Sequence, residues 1–145
     1  MPTRKPPANL VLLDTHVWLW LMNGDGRLAG SRSLALIEKA VRLSRIRVSA
    51  ISVWEVGMLE AKGRIRLPMD CLDWVQMALG APGISLVPVT PEIAIESSRL
   101  PGELHGDPAD RILVATARNL GAAFVTHDER IVSYGAQGHA DVLPL

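Results

Sequence analysis

Five carboxylates in this chain stand where an apolar run gives way to a polar one. Asp14 ends the run "NLVLL", Glu55 falls in "SVWEVGMLEAKG" just after "IRVSA", Asp107 and Asp110 share the stretch "HGDPADR", and Asp128 lies two residues past "AAFVT". Carboxylates gathered in one cleft repel each other and raise their own pKa values, and a bound cation relieves that repulsion. An all-oxygen set with no paired Cys or His ligands suits Mg²⁺ or Mn²⁺ better than Zn²⁺. One or two such ions activate water and stabilise the charge of an in-line phosphoryl transfer.

Each of these residues also has a purely local reading. "SVWE" fits a capping box in which Glu55 reaches back to the N–H of Ser52. In "DPAD", Asp107 caps a helix, Pro108 occupies its first position and Asp110 lies at its positive end. Asp128 is placed to cap "ERIVSYG", and Asp14 to sit in a turn. His16, His105 and His127 adjoin Asp14, Asp107 and Asp128, but none has metal-ligand spacing to another His or Cys, so they read as surface or supporting residues. Arg111 is expected to pair with Asp107 one turn away, with a phosphate contact as the alternative.

The carboxylates converge only if the chain folds in one way. "NLVLL", "IRVSA", "ISLVPV" and "AAFVT" have strand length and composition, and "DVLPL" adds a short fifth strand. Between them, "HVWLWLM", "SRSLALIEKAVRL", "SVWEVGMLEAKG" (with Ser52 as cap and Gly63 as stop), "CLDWVQMAL" after Asp70, "TPEIAIESSRL" and "PADRILVATARNLG" read as helices. Strands alternating with helices predict an α/β fold with a parallel sheet. Ligands of such folds bind at the carboxyl ends of the strands, where Asp14, Glu55 and Asp128 fall. Trp18, Trp54 and Trp74 are expected in the core and Trp20 on a partner surface.

Composition sets outer bounds. The 145 residues are 48% hydrophobic, enough for a sizeable core and far from the composition of disorder. Fifteen basic residues balance fifteen acidic ones, so a nucleic-acid partner must be attracted locally. Arg42, Arg45, Arg47, Lys62, Arg64 and Arg66 form the candidate patch, with a solvated helix face as the alternative. A single cysteine, Cys71, excludes an internal disulfide framework and fits a reducing cytoplasm. Residues 1–8 read as a flexible lead-in and 9–145 as one domain, with no signal-type or membrane-spanning segment.

In order, "LLDTHVWLW", "SVWEVGMLEAKGRI", "LPGELHGDPADRILVATARNLG" and "FVTHDERIVSYG" resemble the motifs of PIN-domain proteins, most of all the VapC-like toxins of bacterial toxin–antitoxin pairs. The likeness runs from about residue 10 to residue 135. It implies a PIN-like three-layer α/β/α sandwich with a small parallel sheet, and a Mg²⁺- or Mn²⁺-dependent endoribonuclease. Under it, Asp14, Glu55, Asp110 and Asp128 fall on the four acidic positions of the family. Asp14, Asp110 and Asp128 would be metal ligands, with Glu55 and Asp107 as further candidates. Thr126 matches a supporting hydroxyl beside Asp128 or a metal-bound water.

Two positions depart from the subgroup: Leu59 replaces a frequent lysine, and Ala109 a frequent aromatic. Neither removes a carboxylate, so the departures bear on substrate or partner fit rather than on metal. The resemblance also implies a homodimer, an RNA substrate, and a small antitoxin protein that blocks the acidic site. Other enzymes that begin from an aspartate after a strand fit less well. A phosphatase of the haloacid dehalogenase type wants a second aspartate where this chain has His16, and a phospho-receiver wants a late lysine, whereas none follows Lys62. The remaining alternative is a PIN fold that serves only as a non-catalytic interaction module.

Overall fold

The computed structural model describes residues 9–145; the expected lead-in at residues 1–8 lies outside them. In chain order the elements are β1 (Val11–Leu13), α1 (Thr15–Asn23), α2 (Gly26–Ala29), α3 (Leu34–Arg42), β2 (Ile46–Ser49), α4 (Ala50–Ala61), α5 (Cys71–Leu79), β3 (Ile84–Val87), α6 (Pro91–Glu96), α7 (Pro108–Leu120), β4 (Ala123–Thr126), α8 (Glu129–Ala136) and β5 (Val142–Pro144). The strands form one sheet in the order β3-β2-β1-β4-β5, and every pairing is parallel. The fifth strand foreseen in "DVLPL" is present, while the short α2 is an addition.

Alternation along the strands divides the core in two. Val11 and Leu13 of β1, Val125 of β4, and Ile46 and Val48 of β2 face a layer containing Val17, Trp18, Ile37, Val56 and Trp74. Leu12 and Phe124 point the other way, against Ile93, Leu113, Val114, Ile131 and Tyr134 of α6, α7 and α8. Both faces of the sheet are thus covered, which is why its strands read as continuous apolar runs. The three-layer α/β/α arrangement is the one expected.

One feature of the topology matters for function. From β1 the chain moves to β2 on one side, whereas β4 lies on the other, so the strand order reverses between β1 and β4. That is the switch point at which an open parallel sheet leaves a crevice beyond its carboxyl edge. Asp14 follows β1 there and Thr126 ends β4 there. At the opposite edge, Gly83 leads into β3 with φ +85°, and a Cβ on it would lie 2.2 Å from the Val41 carbonyl oxygen. Only glycine fits that approach.

Local expectations fail in four places. Helix α4 starts at Ala50, not after Ser52, and Ser49 caps it by accepting from Ile51 N–H. Ser52 therefore lies inside the helix and makes no capping box with Glu55. Trp54 is 58% exposed, because α4 turns that face outward, while Trp18 and Trp74 are fully buried. Trp20, expected on a partner surface, is buried beside His16 and His127.

Candidate metal centre

Asp14 is both a helix cap and a buried acid. It is the N-cap of α1; its Oδ1 accepts from Thr15 N–H at 2.7 Å and its Oδ2 from the Thr126 hydroxyl at 2.5 Å. The second bond ties the end of β4 to the end of β1 across the switch point. Thr126 Oγ1 in turn accepts from Asp128 N–H at 3.0 Å, so one hydroxyl orients two acidic residues. Burial dominates the Asp14 carboxyl and raises its pKa, against lowering contributions from Thr126, Thr15, His16 and His127. The expected bond from the Thr126 hydroxyl thus goes to Asp14 rather than to the Asp128 side chain.

Glu55 reaches the same crevice from α4. The Thr15 hydroxyl donates to Glu55 Oε1 at 2.7 Å and lies 2.8 Å from Ser52 Oγ. Thr15 has one proton, given to Glu55, so Ser52 is the donor in the second bond. Thr15 and Ser52 were not foreseen as part of the site. The signals were present, however: Thr15 directly follows the first aspartate, and Ser52 sits three residues before Glu55 on the same helix face. Burial raises the Glu55 pKa, partly offset by the Thr15 bond and reinforced by Asp14 and Asp107.

"HGDPADR" is a helix start that carries Asp110 to the crevice. Asp107 caps α7 by accepting from Asp110 N–H at 3.0 Å, and Pro108 takes the first helical position. That start holds Asp110 one turn in, where its carboxyl is pushed up to about 7 by burial and then by the charges of Asp107, Asp14, Asp128 and Glu55. Four carboxylate charges thus reach Asp110, although among the described residues Asp14, Glu55 and Asp107 do not join the closest group of ligand atoms described below. Arg111 does not pair with Asp107. Its guanidinium donates to the carbonyls of Ser97 and Leu104 at 2.9 Å each, bracing the loop ahead of α7.

Asp128 behaves differently. Burial alone would raise its pKa, but bonds from the Arg130 side chain and from the N–H groups of Arg130 and Ile131 outweigh burial and hold the carboxyl below the ordinary range. It is the N-cap of α8. Asp14, Asp107 and Asp128 thus cap three helices whose positive ends converge on the crevice, which partly offsets the gathered negative charge.

His105 lies closer to the centre than its spacing suggested. Its Nε2 is buried, 3.4 Å from Asp110 Oδ2, without the alignment of a hydrogen bond. His105, Asp110 and Asp128 can each bring a ligand atom within 4.8 Å of the others, the distance scale of a shared cation. An orphaned buried nitrogen, an uncompensated carboxyl and an oxygen-rich surround are donor chemistry that fits a divalent cation. A groove of about 540 Å³ opens beside this group, lined by Leu104, His105, Glu129, Arg130 and Tyr134 among others.

The six basic residues of the candidate patch do not lie together. Arg42 and Arg45 flank the amino end of β2, and Arg47 turns back to the carbonyls of Ser44 and Ile46. They lie toward the edge of the sheet away from Asp14. Lys62 ends α4, and Arg64 and Arg66 follow it into a cavity shared with His16.

The PIN domain family profile matches residues 11–136, which spans every acidic position described above. The chain belongs to the PIN-domain family. It is 40% identical over 124 residues to Ribonuclease VapC22 of Mycobacterium tuberculosis, covering 86% of this chain and 91% of that protein. Its fold matches DNA-bound VapBC from Salmonella typhimurium with a TM-score of 0.66 at 17% identity, over 94% of this chain and 98% of that one. DNA-bound VapBC2 from Rickettsia felis matches with a TM-score of 0.63 at 12% identity, over 93% and 98% of the two chains. At these identities the structural likenesses speak for the PIN fold alone. Among the described residues, no helix is long and apolar enough to cross a membrane.

Proposed function

We propose that this PIN-domain protein is a metal-dependent endoribonuclease, the toxin of a toxin–antitoxin pair. The observation that carries the reading is the grouping of His105, Asp110 and Asp128 within 4.8 Å of one another, at a point where burial and then the charges of Asp107, Asp14, Asp128 and Glu55 push the Asp110 carboxyl up to about 7. A scaffold has no use for that unrelieved repulsion, which lowers stability, whereas a cation site requires it. The 40% identity to a ribonuclease supports the same conclusion.

Asp14, Asp110 and Asp128 would hold Mg²⁺ or Mn²⁺, with Glu55 and Asp107 at its margin. When bound, such an ion supplies charge neutralisation at the phosphoryl oxygens and lowers the pKa of water toward neutrality. The residues of this chain supply the geometry. Thr126 and Thr15 N–H fix both oxygens of Asp14. Thr15, itself held by Ser52, fixes one oxygen of Glu55 and leaves the other free to orient a water toward the phosphodiester. The α7 cap sets the position of Asp110.

A small antitoxin protein is the proposed partner. A segment carrying an arginine would match the negative crevice, since a guanidinium among carboxylates forms strong paired hydrogen bonds. Self-association as a homodimer and a cytoplasmic location belong to the same reading.

Cleavage of RNA by purified protein, with Mg²⁺ or Mn²⁺ against EDTA, tests the proposal, with Asp14→Asn as the control. The expected result is metal-dependent cutting within the strand that the variant loses while its circular dichroism spectrum is kept. Full activity in Asp14→Asn, or cutting undiminished by EDTA, would refute it.

A further inference from the structure

A second cavity, of about 330 Å³, begins where the carboxylates end. One wall is a single face of α1: His16, Leu19, Trp20 and Asn23 follow the i, i+3, i+4, i+7 spacing of a helix surface. That face starts two residues beyond Asp14 and extends roughly 10 Å outward, at about 1.5 Å per residue. The facing wall is the turn after α4, where Arg64 and Arg66 line the cavity and Ile65 and Leu67 anchor the turn by packing on the core.

The charges along this cavity are opposite to those of the crevice it adjoins. Arg27 lies with its guanidinium 4.9 Å from the Trp20 ring centroid and 3.1 Å from Asp25. Among the described residues, neither Arg64 nor Arg66 pairs with any carboxylate, and both are exposed. Three guanidinium groups against one carboxylate leave the cavity positive. His16 stands between the two regions: its pKa is lowered first by burial, and its imidazole senses Asp14 on one side and Arg27 on the other.

A crevice of five carboxylates repels a polyanion, so an enzyme that cuts one needs positive charge close to the scissile bond. We infer that this cavity is a phosphate subsite: Arg64, Arg66 and Arg27 hold the backbone of the RNA segment adjoining the bond to be cut. The inference rests on the ribonuclease reading above. Continuity with the carboxylate crevice along one face of α1 favours the strand being cut over an acidic segment of a protein partner. The fork geometry of arginine suits phosphate oxygens.

The test is binding of a short fluorescent single-stranded RNA in EDTA, which prevents cutting, between about 50 and 200 mM salt. For Arg64→Gln/Arg66→Gln the expected affinity is about tenfold weaker, the worth of one or two partly exposed charged contacts. The plot of log K against log salt should become shallower by about 1.4, since each contact on a single strand contributes about 0.7. With Mg²⁺ present, KM should rise about tenfold while kcat changes less than about twofold. Lys39→Gln, on α3 toward the opposite edge of the sheet, removes a charge without these effects.

Because both arginines are exposed, the melting temperature should not move. The pair Arg64→Lys/Arg66→Lys, which keeps the charge, should recover most of the salt slope. An unchanged salt slope and KM in the glutamine pair would overturn the inference. So would a loss of affinity for the antitoxin with RNA binding intact, which would assign the cavity to an acidic protein segment. If the wild type fails to cut RNA in Mg²⁺, it is the ribonuclease reading that falls, a result separate from the binding data in EDTA.

Discussion

Replacing Asp110 by asparagine should make the metal-free protein more stable, by an amount that grows as pH rises above the ordinary carboxyl value. In the fold, the Asp110 carboxyl releases its proton near pH 7, whereas its ordinary value is 3.8. Between those two pH values the folded state binds a proton that the unfolded chain has lost, so stability falls as pH rises through the interval. Above pH 7 the whole penalty is present. A rise of roughly three pKa units at about 1.36 kcal/mol each gives a ceiling of about 4 kcal/mol. The side chain is 16% exposed at the mouth of an open crevice, so solvent screening reduces this to about 1–2 kcal/mol. Asparagine keeps the size and removes the charge. Thermal melts in EDTA should show Asp110→Asn about 3–6 °C more stable than wild type at pH 8, the gap narrowing as pH falls and closing at about pH 3, below the ordinary carboxyl value. Adding Mg²⁺ at pH 8 should reverse the ranking, since the cation stabilises only the protein that binds it. If the variant is no more stable than wild type at pH 8, or gains equally at both pH values, the carboxylates do not repel one another as described.

Three further outcomes follow from single contacts. Thr126→Val removes the hydroxyl bonded to the buried Asp14 carboxyl and should cost about 1–3 kcal/mol in a denaturant melt, with nuclease activity falling at least tenfold; Thr126→Ser should restore most of both. Gly83→Ala places a methyl group against the Val41 carbonyl at a left-handed φ and should destabilise by about 2 kcal/mol or more in the same melt. Trp54→Ala should leave stability within about 0.5 kcal/mol, whereas Trp74→Ala, at a fully buried position, should cost about 3–5 kcal/mol.

Why some residues were legible and others were not has a common cause. The capping signals of α7 are chemical and local, so Asp107, Pro108 and the Gly121 stop could be recognised before any tertiary contact was known. "SVWE" carried an equally good local signal and misled, because Ser49 at the end of β2 caps first and draws Ser52 inside the helix. Once inside, Ser52 and Glu55 share a face, and both meet Thr15. Trp54 misled for a related reason. Hydrophobicity says that a residue gains from burial, but only the packing of α4 decides which of its faces finds a neighbour. For Arg111 the local expectation is a pair with Asp107 one turn away, yet its guanidinium satisfies the carbonyls of Ser97 and Leu104, in a loop that local pattern does not place beside it.

What the sequence by itself determined is the strand–helix alternation and the placing of acidic residues at strand ends and helix starts. Both are written in local pattern: apolar runs of strand length, cap residues, and helix stops such as Gly121. From these the parallel sheet and its carboxyl edge follow with little freedom. The tertiary structure alone decided which groups share a crevice. The reversal of strand order between β1 and β4 brings Asp14 to Thr126 across 112 positions of sequence, and the pairing of β1 with β2 brings Thr15 to Glu55 across 40. The fold also divides the basic residues, leaving Arg42 and Arg45 at the amino end of β2 while Arg64 and Arg66, beyond α4, join Arg27 beside His16. Charge acts through space, falling off within about a Debye length of 8–10 Å, so no count along the chain reveals which charges meet.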